Sequence, residues 1–120
     1  MIQHIKTPAI IKAAGNKEKK IEEFFGRVIS GTSEVSIARM TSPEGWVEPG
    51  QTPDFNEYTL VIKGALKIVT REEEFIVSEG EAILTSSGEW VQYSSPFAGG
   101  AEYVAVCLPA FAMDLVKRDE

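Results

Sequence analysis

A chain of 120 residues, 43% apolar and 25% charged, has the length for one buried core and the composition of a globular domain rather than a disordered one. A net charge of −6 repels phosphate backbones and excludes nucleic acid as the expected partner. One cysteine, Cys107, rules out an internal disulfide and a cysteine-rich metal site. No apolar run approaches the ~20 residues that cross a bilayer, so no membrane partner is expected and the composition reads as a cytoplasmic protein. The basic residues Lys17, Lys19 and Lys20, and the pair Lys117 and Arg118, alternate with or precede acid and read as solvated faces.

In chain order, Pro8 precedes the short apolar run 9–14, suited to an edge strand or an arm. Asn16 is a good N-cap for one or two helical turns, because Ile21, Phe24 and Phe25 follow at helical spacing; the same residues also suit a strand start. Residues 27–30 and 34–40 read as strands separated by Gly31. In the second, Val35, Ile37 and Arg39 share one face and Ser36, Ala38 and Met40 the other. Residues 41–55 carry Pro43, Gly45, Pro49, Gly50 and Pro53, which predicts an irregular functional loop with Trp46 as a lid over a core or a pocket mouth.

Strands then follow at close spacing: 57–63, Gly64, 65–70, a charged tip at 71–74, a return at 75–77, then 81–85, 89–94 and 101–108. Short strands divided by turn signals predict an all-β antiparallel sandwich or barrel. The expected layout is one domain over residues 1–120, with an N-terminal arm or strands to residue 30, a barrel over 31–109 and a C-terminal segment over 110–120. If Glu57 points inward, Thr59 and Val61 join it, and Tyr58, Leu60 and Ile62 point out. An outer face that apolar calls for a cover, either the arm, the C-terminal segment or a second subunit, and predicts a homodimer.

Two stretches resemble the two motifs of the cupin superfamily, whose fold is a double-stranded β-helix or jelly roll. In residues 50–64, Gly50, Glu57 and Gly64 match the first motif; in residues 80–93, Gly80 and Gly88 match the second. The family's three histidine positions fall on Gln51, Pro53 and Val91, so the resemblance implies the barrel without its usual metal site. The ending Tyr103-Val104-Ala105-Val106-Cys107-Leu108-Pro109-Ala110 is similar to that of the metal-free ethanolamine-utilisation cupins. No cofactor is implied. His4, the only histidine, reads as an arm residue.

The resemblance and strand parity together mark Arg39, Trp46, Gln51, Glu57 and Tyr93 as candidate contacts to a small polar or anionic ligand. Glu57, desolvated in the barrel, could work with Tyr93 in proton transfer, or could pair with Arg39 as a structural ion pair. Asp54 and Glu48 stand near enough in sequence to join Glu57 around a hard cation, although their spacing does not require it. Trp90 falls on the opposite face from Tyr93, and Cys107 reads as packing. Two functions follow: a binding module for a small metabolite, or a metal-independent lyase or isomerase using Glu57 and Tyr93.

Overall fold

A computed structural model describes residues 1–120 of the chain. The runs on either side of Gly64 form one bent strand, β5 (Asn56–Thr70), and the other elements assemble around it. The first half of β5 pairs antiparallel with β7 (Ala82–Thr85) and with β9 (Ala101–Leu108). Beyond β9 lie β3 (Ser36–Ser42), β2 (Lys20–Phe25) and β1 (Ala9–Ile11). The second half of β5 pairs with β6 (Glu74–Ser78) and β8 (Val91–Ser95), and β8 with the two-residue β4 (Trp46–Val47). One strand thus belongs to two sheets that curl over each other as a jelly roll. A single helical turn, α1 (Met113–Val116), precedes the C-terminus.

The bend requires Gly64. Its φ of 76° is left-handed, and a Cβ there would run into the carbonyl oxygen of Gly100, just ahead of β9. Strand alternation does the rest. From β5, Thr59, Val61, Leu66 and Ile68 are buried while Tyr58, Leu60 and Ile62 stand outside, as parity from Glu57 predicts. From β9, Ala101, Tyr103, Ala105 and Cys107 point inward. The main core gathers Trp46, Val61, Leu66, Ile68, Val77, Val91, Tyr93 and Tyr103. A smaller cluster of Phe55, Cys107 and Val116, flanked by Phe111 and Leu115, closes the other end. Between the two, β3 and β9 present only Ser36, Ala38 and Ala105, and these small side chains leave a cavity.

The structure decides the open alternatives and overturns one strand. Of the two readings of the segment after Asn16, helical turns or a strand start, the strand forms as β2, since its backbone groups pair with β3 along Lys20–Glu23 and its apolar residues gain more from that sheet than from an isolated turn. Residues 27–30 are a turn rather than a strand. The Glu23 carboxylate accepts hydrogen bonds from the N–H groups of Val28 and Ile29 at 3.0 and 2.8 Å, which holds that backbone away from any ladder. Residues 9–11 form an edge strand. The outer face bearing Tyr58, Leu60, Leu84, Val104 and Val106 is covered by neither the N-terminal arm nor the C-terminal segment. No helix is long and apolar enough to cross a membrane.

Candidate functional site

The cavity inside the barrel measures about 60 Å³ and is lined mostly by apolar side chains, among them Ala38, Met40, Phe55 and Ala105. Against that lining stand Lys19, Glu48, Gln51, Glu57, Tyr93, Tyr103 and Arg118. Few polar groups in an otherwise apolar wall is the usual build of a small-molecule site.

Glu57, at the start of β5, faces inward as expected. Burial raises its carboxyl, the neighbouring Glu48 charge raises it further, and Lys19 only partly offsets them, leaving it at about 7. Glu48 is also raised by burial, against the opposing charges of Lys19 and Arg118. Tyr93 lies on β8, where its hydroxyl shares a 2.7 Å hydrogen bond with Thr85. Burial and the Glu57 charge push its phenol well up, so it remains protonated and acts as a donor rather than a base. Gln51 is 3% exposed and its Oε1 has no hydrogen-bond partner within the protein.

Lys19, expected on a solvated face, enters the barrel. Its ammonium lies 4.1 Å from the centroid of the Trp46 ring and 5.1 Å from that of Tyr103. Burial opposes the charge, but Tyr103, Glu48 and Glu57 outweigh it and hold the ammonium above its ordinary range. The signal was present in the sequence: in a strand reading of this segment, Lys19, Ile21 and Glu23 share one face, and all three line the cavity. Arg118 had no such signal, because only the docking of the C-terminal segment against residues 50–54 brings it to the site.

Two expected contacts are elsewhere. Arg39 is outside the barrel, because the inward face of β3 is Ser36, Ala38, Met40 and Ser42. It pairs across the ladder with Glu22, Nε to Oε1 at 3.1 Å, and the hydrogen bond from Arg39 lowers the Glu22 carboxyl. The Arg39–Glu57 ion pair therefore does not form. Trp46 is fully buried in the main core, with its indole N–H donating to the Ala14 carbonyl at 3.0 Å, and meets the site only through Lys19. Asp54 is exposed and paired with Lys117, away from Glu57, whereas Glu48 does line the cavity. Cys107 faces inward with its thiol raised by burial, consistent with packing.

Among solved structures, the chain is similar to a cupin of the RmlC-like kind from Shewanella frigidimarina, with a TM-score of 0.71 at 12% identity over 90% of this chain and 89% of that one. It also matches the Clostridium difficile EutQ protein, with a TM-score of 0.64 at 25% identity over 77% of this chain and 63% of that one. The chain is a cupin by fold. Its cupin barrel is 41% identical over 101 residues to a Myxococcus xanthus protein named endoribonuclease YbeY, covering 84% of this chain but 34% of that protein. The chain thus spans about a third of that relative's length. No protein-family model matches it.

The cupin metal positions do not suit a divalent ion here. Gln51 offers an amide, Pro53 nothing, and Val91 is buried in the main core. Nowhere do three His, Cys, Asp or Glu side chains converge in a way that could hold a metal.

Proposed function

We propose that this cupin barrel binds a small anionic metabolite, held by charge and hydrogen bonds rather than by a histidine-ligated metal. The observation that carries the reading is the arrival of two cations, Lys19 and Arg118, from opposite ends of the chain at one cavity. Glu23 accepts two backbone N–H groups at a single oxygen, Oε2, and the Glu57 carboxyl is raised to about 7. Glu48 is the carboxylate whose charge interacts with both cations. A volume of about 60 Å³ corresponds to about four or five water-sized sites and so to a ligand of few non-hydrogen atoms.

The endoribonuclease name of the Myxococcus relative is not carried over: the chain spans about a third of that protein, and the net charge of −6 opposes a polynucleotide. Isothermal titration with acetate, propionate, lactate and phosphate tests the reading. At least one should bind, and Lys19→Met should weaken it by about tenfold or more, the loss of one charge-assisted contact. Silence across the panel would sink it.

A second reading, proton transfer on a small carbonyl or hydroxy substrate, is favoured by one observation. Glu57 sits at about 7, where a carboxyl serves as base or acid with equal ease, beside a phenol that stays protonated. Glu57→Gln separates the two. An enzyme keeps its ligand affinity and loses turnover, whereas a binding protein shows at most a change in affinity.

A further inference from the structure

The C-terminal segment closes the barrel and aims one side chain into it. The N–H of Thr52 donates to the Lys117 carbonyl at 3.1 Å, that of Asp54 to Leu115 at 2.8 Å, and that of Asp119 to Gly50 at 2.7 Å. The Trp90 indole donates to the Asp119 carboxylate at 2.8 Å. These anchors fix Arg118 directly opposite Gln51 in an antiparallel bridge, where side chains of facing residues stand about 5 Å apart at Cβ.

Both side chains are unspent. Arg118 Nε and Gln51 Oε1 are buried without a hydrogen-bond partner in the protein, and none of the four ion pairs involves Arg118. Buried polar atoms are nearly always paired, and two orphans on facing residues at a cavity wall are placed to share one partner. It must accept from a guanidinium and, alongside, donate to a carbonyl. Rotating the Gln51 amide offers no escape, since that would set an amide donor against the guanidinium.

We propose that Arg118 and Gln51 recognise the head group of a small 2-hydroxycarboxylate, the carboxylate accepting from Arg118 and the 2-hydroxyl donating to Gln51 Oε1. This rests on the barrel being an anion site and names the class of anion. The carboxylate answers a guanidinium that makes no direct ion pair within the protein and that a neutral carboxamide would leave without one. A hydroxyl is the fitting donor because an ammonium would add a third positive charge beside Arg118 and Lys19. The cavity volume suits an acid of this size and not a longer one.

Titration calorimetry of the full chain with lactate, propionate and 2-hydroxypropionamide tests the assignment. Lactate should bind about tenfold or more tighter than either analogue, since each of them lacks one half of the head group. Arg118→Gln should weaken lactate and propionate alike by about tenfold or more, whereas Gln51→Leu should erase the preference for lactate and leave propionate unchanged. Arg118→Lys, measured alongside with Trp90 fluorescence to show that the segment stays docked, keeps the charge without the fork and should fall between. Equal affinity for lactate and propionate, or undiminished lactate binding in Arg118→Gln, overturns the proposal and leaves the anion reading standing, whereas equal affinity for lactate and its neutral amide overturns the proposal and the anion reading together. No response to any acid overturns both.

Discussion

Glu57 shows how one buried carboxyl links stability to pH. An ordinary value of 4.5 rises to about 7 in the folded protein because burial and Glu48 disfavour its charge. Between those values the folded state holds a proton that the unfolded chain releases, so the contribution of Glu57 to stability is intact below about 4.5 and is lost as pH rises through about 7. Glu57→Gln removes the titration. The variant should gain on the wild type between pH 5 and pH 8, by roughly 1–3 kcal/mol, as read by urea denaturation at both pH values. A difference that stays constant with pH would mean that Glu57 is ionised in the folded barrel. Glu57 was legible in the sequence because it opens a strand whose parity is unambiguous. Arg39 lies outside because the strand face it shares with Ile37 and Thr41 is the outer one, while the interior of β3 is Ser36, Ala38, Met40 and Ser42, of which the small ones leave room for a ligand.

At the scale of elements, turn glycines and strand alternation were the legible part. The limits of β9 and the inward set of β5 follow from them, and Gly64, expected to separate two strands, instead bends one. The β2 segment was harder, since Ile21, Phe24 and Phe25 satisfy helical spacing and only the long-range ladder to β3 decides against it. With β2 undecided, Lys19 passed for a surface charge. The C-terminal segment was illegible for a related reason: its contacts to residues 50–54 span more than sixty positions of sequence, and nothing local announces them. Gly64→Ala is the sharpest test of the bend in β5. It combines a left-handed φ with a collision against the backbone of Gly100, and should destabilise by about 2–4 kcal/mol in thermal or urea unfolding. A change below about 1 kcal/mol would show that the bend relaxes without glycine.

For the whole molecule, the outer face of the larger sheet remains the strongest departure from a self-sufficient surface. Tyr58, Leu60 and Leu84 are 45%, 44% and 47% exposed, and with Val104 and Val106 they form one apolar patch. The second subunit expected from the sequence is the occupant we propose, since both chain termini are engaged elsewhere or lie off this face. Sedimentation should give a dimer at micromolar concentration and a monomer for Leu60→Glu, the buried charge disrupting a self-complementary contact. A monomeric wild type would dismiss it. The long strand β5 has a different consequence for the molecule as a whole. Its two halves are the central rungs of both sheets, so the barrel cannot be divided into an upper and a lower half that each keep a complete ladder. Damage anywhere along Asn56–Thr70 is transmitted to both walls of the cavity at once, and ligand capacity and foldedness are therefore inherited together or lost together.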